Sequence, residues 1–283
     1  MARTARAVLI TGCSTGIGRA TAERLAKRDG WTVYATARKP ESIEDLRQSG
    51  CKTLALDVTD EQSMRAAVEQ VEQAEGAVWA LINNAGYSQS GALESVPMGQ
   101  LRAQFETNVF GLVRMCQLVL PKMRESRDGR IVNLSSMGGR LTFPGGGAYH
   151  ATKYAVEALS DALRFEVSGF GIHVVLIEPG LIRTQFGEAA VGSMSGIEDE
   201  APYAKFNSAV AATTAGVYGG PLARLGARPD AVAKTIETAL TKSRPKGRYP
   251  VTASARLMLG LRKVLPDRGW DALVGSTYPR PGR

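Results

Sequence analysis

Tyr149 and Lys153 stand four residues apart at the start of a helical pattern that runs to about Gly169. At that spacing two side chains share one helix face and can approach each other. A free tyrosine has a pKa near 10, so its use as a general base at neutral pH needs a shift of roughly three units, or about 4 kcal/mol. One ammonium at about 4 Å in an effective dielectric near 20 supplies about that much. The pair is therefore sufficient for acid/base chemistry in principle, although a Tyr and a Lys at this spacing also occur on solvated helix surfaces. His150 adjoins Tyr149, but one step along a helix aims its side chain elsewhere, and packing is the plainer expectation for it.

A second group precedes this one by more than a hundred residues. Thr11-Gly12-Cys13-Ser14-Thr15-Gly16-Ile17-Gly18 follows an apolar run and opens a helical one. Gly12, Gly16 and Gly18 permit a tight turn and a close backbone approach to a pyrophosphate lying on the helix N-terminus; Ser14, Thr15 and Ile17 complete the turn. Cys13 is expected to pack. Sites specific for NAD usually place Asp or Glu at the end of the next strand to accept from the ribose 2′-OH. Here that place reads Ala35-Thr36-Ala37-Arg38-Lys39, without an acid. Arg38 suits bidentate pairing with a 2′-phosphate, which favours NADP(H) over NAD; a solvated loop pair of Arg38 and Lys39 is the alternative.

The elements that must position these groups alternate. Short apolar, β-branched runs at 7–11, 32–35, 52–56, 79–82, 130–135 and 173–177 read as strands, with amphipathic helical patterns between them. Such alternation predicts an α/β fold: a single-domain, Rossmann-type doubly wound parallel sheet with helices on both faces. Ligands in such sheets bind at the carboxyl ends of the strands. Residues 7–182 would form the cofactor-binding and catalytic core. Residues 183–226, rich in Gly, Ala and Ser, are expected to be a lid over the strand ends. A helix at 229–240 and a short strand at 248–251 would complete the sheet. Residues 253–283 pattern as a C-terminal extension of one or two amphipathic helices broken at Pro266.

Composition narrows the function. With 283 residues and 44% apolar side chains, the chain is one large domain and not a disordered one. Three cysteines without CxxC spacing and two scattered histidines argue against a disulfide scaffold and a metal site. The net charge of +8 is localised, since residues 242–283 hold ten basic and two acidic side chains while the rest balances. That basic tail, with Leu257, Leu259, Leu261, Val264 and Leu265, would either pack on the domain or rest on an anionic membrane surface. Nucleic-acid binding is not expected, because the basic residues are not interleaved with aromatics. The N-terminus shows no apolar signal segment, so a cytoplasmic, possibly membrane-peripheral location is expected. The 18 uncharged residues from Phe206 to Ala223 are too rich in small and polar types to span a bilayer.

Four further features complete the pattern: Asn83-Asn84-Ala85-Gly86 after the fourth strand, Asn108 in the following helix, Ser135-Ser136 after the fifth strand, and Pro179-Gly180 after the sixth. Together with TGxxxGxG and YxxxK, in this order and spacing over residues 7–184, they resemble the short-chain dehydrogenase/reductase family. The resemblance implies a hydride-transferring oxidoreductase that needs no metal. Tyr149 would be the proton donor or acceptor, Ser136 would hydrogen-bond the substrate oxygen, and Ser135 is its rival on sequence grounds. Lys153 would bind the nicotinamide ribose and lower the Tyr149 pKa, while Asn108 would hold a water linking Lys153 to solvent. Asp57 and Val58 would contact adenine; Asn84, Ala85 and Gly86 would line the adenine ribose side. Pro179 and Gly180 would border the cofactor, and Ile182 with Thr184 would fix the carboxamide. The tail and the EPGLIRTQF stretch are similar to the 17β-hydroxysteroid and retinol dehydrogenase branch, implying a small lipophilic carbonyl or alcohol substrate of steroid, retinoid or long-chain acyl type. Homo-oligomers are usual in the family. β-Ketoacyl carrier-protein reduction and a catalytically silent NADP(H)-binding scaffold are the alternatives.

Overall fold

The computed structural model describes residues 6–197, 201–219 and 226–282. Seven parallel strands form one sheet in the order β3-β2-β1-β4-β5-β6-β7. They are β1 (Arg6–Ile10), β2 (Trp31–Ala37), β3 (Lys52–Ala55), β4 (Ala80–Asn83), β5 (Gly129–Leu134), β6 (Ile172–Glu178) and β7 (Arg248–Pro250). All seven expected strands are present, with ends shifted by one or two residues. The strand order reverses between β1 and β4, which opens a crevice at their carboxyl ends.

Alternation along each strand divides the core in two. Leu9, Leu81, Ile131 and Val174 face one side, against Met64, Val68 and Val71 of α2 (Glu61–Glu75), Met115 and Val119 of α4 (Gly111–Ser126), and Val156 of α5 (Gly147–Val167). Val8, Ile10, Ile82, Val132 and Val175 face the other, against Ala22 and Leu25 of α1 (Gly16–Leu25) and Val232 and Ile236 of α8 (Pro229–Thr241). Burial on both faces explains why the strands read as apolar runs instead of alternating patterns.

Between β4 and α4 lies α3 (Met98–Phe105), and α6 (Phe186–Gly192) and α7 (Ala204–Gly219) follow β6. A third apolar cluster, with Ala92, Val96, Met194, Ile197, Phe206 and Val210, joins α7 and the residues after α6 to the loop after β4. Of the expected lid, 198–200 and 220–225 lie outside the described residues. The tail forms α9 (Ala253–Val264) and α10 (Asp267–Gly275), interrupted at Pro266 as its residue type demands. No helix among the described residues is long and apolar enough to cross a membrane.

Candidate active site

The turn from β1 into α1 is built for close approach. Gly12 has φ +72°, and a Cβ there would lie 2.9 Å from the Cα of Ala85; a Cβ on Gly18 would lie 2.3 Å from the Gly12 carbonyl oxygen. Only glycine fits either place. Asn84 Nδ2 donates to the carbonyls of Thr11 at 2.9 Å and Gly12 at 2.8 Å, and Thr11 Oγ1 accepts from the amides of Asn84 and Ala85 at 3.0 Å each. Asn84 thus braces the turn with its side chain. Thr15 does not cap α1 and no acid lies in its first turn, so the helix start is open to an anion. Ser14 and Thr15 are exposed beside it. These residues fit a dinucleotide pyrophosphate.

Arg38 is exposed just past β2 and forms no ion pair among the described residues; burial pushes the Tyr87 hydroxyl above its ordinary range, and the charge of nearby Arg38 offsets part of that rise. Asp57 accepts from the amide and the hydroxyl of Thr59, at 2.9 and 2.7 Å, which shapes the loop after β3. Val58 beside it is buried. Thr184 reaches across the crevice: a Cβ on Gly16 would lie 3.3 Å from its methyl group. Ile182 is buried and bridges to Ala227. Cys13 is fully buried, with its thiol pushed up to about 12 by that burial, so it packs and does not react.

Lys153 is buried in α5, with Nζ donating to the Leu134 carbonyl at 2.7 Å and lying 5.7 Å from the centre of the Tyr149 ring. Burial pulls its ammonium down to about 8, and the Glu157 carboxylate one turn on pulls it back up. Phe186, the first residue of α6, meets the Tyr149 ring edge-on at 5.4 Å. The two serines separate clearly. Ser135 is buried, whereas Ser136 is half-buried and its Oγ accepts from the Gly138 amide at 3.0 Å, which leaves its own O–H to donate.

Asn108 does not sit in a regular helix. It lies in a π-helical turn, Glu106–Phe110, between α3 and α4, a departure often found at functional sites. Its Oδ1 accepts from the Tyr87 amide at 3.1 Å, and its Nδ2 donates to the Tyr87 carbonyl at 2.9 Å and to Thr152 Oγ1 at 3.1 Å. A Cβ on Gly86 would lie 3.0 Å from Asn108 Oδ1 and 3.9 Å from Lys153 Nζ. Residues 85 and 86 therefore touch both the glycine turn after β1 and Lys153, and the two sequence motifs meet there.

Further residues support the site from behind. Glu157 and Glu178 are buried behind the site, joined by Arg248 Nε at 2.9 and 3.3 Å, while Arg140 reaches Glu178 at 3.4 Å. Asn83 donates to Asn133 and Asn133 to Ser160, each at 2.9 Å, tying β4, β5 and α5 together under the crevice. The one sign of them in the sequence was polar side chains in otherwise apolar strands.

Fold and crevice define a nucleotide-binding oxidoreductase of the doubly wound α/β type. Residues 6–193 match the short chain dehydrogenase family. Over 180 residues the chain is 46% identical to a 3-ketodihydrosphingosine reductase of Bacteroides thetaiotaomicron, covering 63% of this chain and 65% of that one. It is 32% identical over 280 residues to an NADPH-dependent 3-dehydrocapnine reductase of Ornithobacterium rhinotracheale, covering 95% of each. A crystal structure of a short-chain dehydrogenase from Streptomyces avermitilis superposes with a TM-score of 0.77 at 32% identity, covering 98% of both chains. The chain belongs to the short chain dehydrogenase family.

Proposed function

We propose that this protein interconverts a ketone or aldehyde and an alcohol with NADP(H), on a lipophilic substrate of the steroid, retinoid or long-chain acyl kind. One observation carries the reading: the buried Lys153 ammonium lies 5.7 Å from the Tyr149 ring, in a crevice continuous through residues 85 and 86 with a turn that admits only glycine. The bound cofactor supplies or accepts a hydride at its nicotinamide C4. Tyr149 gives its hydroxyl proton to the substrate oxygen in reduction and takes it back in oxidation. Ser136 donates its O–H to the same oxygen. Lys153 has one N–H on Leu134 and others to hold the nicotinamide ribose, and its charge favours the tyrosinate. Asn108, packed beside the Gly86 that also neighbours Lys153, holds the water that passes protons toward solvent. Arg38 pairs with the 2′-phosphate. Asp57, Val58, Asn84, Ala85 and Gly86 line the adenosine, and Pro179, Gly180, Ile182 and Thr184 border the nicotinamide.

The apolar lid cluster and Phe186 favour a lipophilic substrate, and the two ketone-reducing relatives, one NADPH-dependent by name, support both chemistry and cofactor. Residues 183–226 serve as the lid, and the exposed basic face of α9 rests on an anionic membrane surface. Purified protein is assayed at the nicotinamide absorbance band with steroid, retinoid, acyl and aryl ketones. Turnover with NADPH in preference to NADH is expected, and Tyr149→Phe lowers kcat by about 10²–10⁴ with NADPH binding intact. Arg38→Leu weakens NADPH binding roughly tenfold or more and leaves NADH binding unchanged. NADPH binding without turnover across the panel, or preference for NADH, refutes the reading.

A further inference from the structure

The tail beyond β7 does more than add surface. Trp270 of α10 is 5% exposed, and its indole N–H donates at 3.0 Å to the carbonyl of Thr142, in the loop that runs from the Ser136 turn to α5. Its ring lies 5.8 Å from that of Phe143, which in turn lies 6.1 Å from the His150 ring. The Phe143 amide donates to His150 Nδ1 at 3.3 Å, and His150, buried and held neutral with its pKa down at about 4, keeps that acceptor available at neutral pH. His150 is the neighbour of Tyr149. The same loop is gripped from its other side: Gly145, at φ +76°, has no room for a Cβ because Val210 of α7 would lie 2.4 Å from it, and the Gly145 carbonyl accepts from the Gly91 amide at 2.8 Å. Tyr278, past α10, packs at 6.5 Å on Phe206 of α7. The extension thus holds both the loop before Tyr149 and the lid helix across from it.

We propose that the C-terminal extension sets the substrate side of the site, with Trp270 as a positioning and specificity-determining residue that fixes residues 141–146 through Thr142, Phe143 and His150. A mobile loop before α5 enlarges the mouth and blurs the placement of a ketone against Tyr149, while the cofactor turn, on the far side of residues 85 and 86, is untouched. The proposal rests on the reading of Tyr149 as acid/base group, and its first test does not depend on turnover.

Hydrogen exchange of the cofactor-free protein is compared for wild type, Trp270→Phe and Trp270→Ala. Peptides spanning 140–150 are expected to exchange about tenfold faster in Trp270→Ala, those spanning 11–18 to stay within twofold, and Trp270→Phe, which keeps a ring but loses the indole donor, to fall between. In steady-state assays with NADPH, Trp270→Ala raises KM for a bulky ketone about tenfold with kcat within threefold, changes NADPH affinity less than twofold, and raises KM for a small ketone less. Unchanged exchange at 140–150 overturns the proposal even if every assay is silent, and so does a loss shared equally by kcat, NADPH affinity and both substrates. If Trp270→Ala does not fold, the Trp270→Phe comparison decides alone. Absence of wild-type turnover refutes the catalytic reading and leaves the exchange result to judge this one.

Discussion

At the scale of single residues, the crevice keeps the Lys153 cation out of reach of water. Lys153 is 6% exposed, bonded to one carbonyl and flanked by one carboxylate. Its ammonium sits at about 8 because burial disfavours charge, and Glu157 limits that fall. As pH rises through about 8 that charge is lost, and with it the service to Tyr149 and the ribose that we propose for Lys153. Ketone reduction is therefore expected to decline on the alkaline side, with a bend in log kcat/KM near pH 8. Glu157→Gln removes the upward pull and moves the bend to lower pH. A profile from pH 6 to 10 on both proteins checks this, and a bend unmoved by Glu157→Gln contradicts the role assigned to that carboxylate.

At the scale of elements, catalytic geometry depends on ties between pieces distant in sequence. Arg248, from the short last strand, contacts Glu157 and Asp161 of α5, at 2.9 and 2.5 Å, and Glu178 at the end of β6, at 3.3 Å. Burial and the nearby Glu157 both push the Glu178 carboxyl above its ordinary range. Without Arg248 two buried carboxylates face each other without their shared cation. Removing one partner of a buried pair costs about 3–5 kcal/mol, and because Arg248 is 31% exposed the lower end applies. Arg248→Met is expected to lower the melting midpoint by roughly 5–10 °C. Arg248→Lys restores part of it, since a single ammonium cannot span three carboxylates. Melting followed by circular dichroism reads both. The π-helical turn at Asn108 belongs to this scale too: helical periodicity marks α3 and α4, but the extra residue between them answers to the loop at Tyr87 that it must meet.

At the scale of the whole molecule, the excess positive charge belongs to residues 242–283. Along α9, Arg256, Leu257, Lys263 and Val264 are exposed, Leu257 at 63% and Val264 at 74%, and the helix holds no acid. Its other side is anchored: Thr252 caps the helix on the Ala255 amide at 3.0 Å, and a Cβ on Gly180 would lie 2.3 Å from the Thr252 hydroxyl. An anionic bilayer suits such a face, each basic side chain adding about 1 kcal/mol near the surface. The protein is expected to sediment with anionic vesicles at low salt, to be released at moderate salt, and to ignore neutral vesicles. Leu257→Asp should weaken the binding without altering NADPH affinity. No sedimentation at either salt refutes the membrane contact.

Most of the fold was legible in the chain itself, because both its strong signals are local. Apolar runs of strand length, glycines at a βα turn and a Tyr and a Lys one helical turn apart are dictated by backbone sterics and by periods of two and 3.6 residues. They placed β1 through β7, the glycine turn after β1 and the Tyr149–Lys153 pair on one helix, and the absence of an acid before Arg38 was already a statement about the cofactor. What lay beyond reach depends on contacts between residues far apart in the chain. Nothing near Arg248 announces Glu157, nothing near Trp270 announces Thr142, and the choice between Ser135 and Ser136 rested on spacing until burial separated them. Local sequence determines which elements form, since propensity and periodicity act within a few residues. Which buried polar groups find partners, and which loop a tail side chain holds, is decided only when those elements close around one another and every polar group removed from water must be matched.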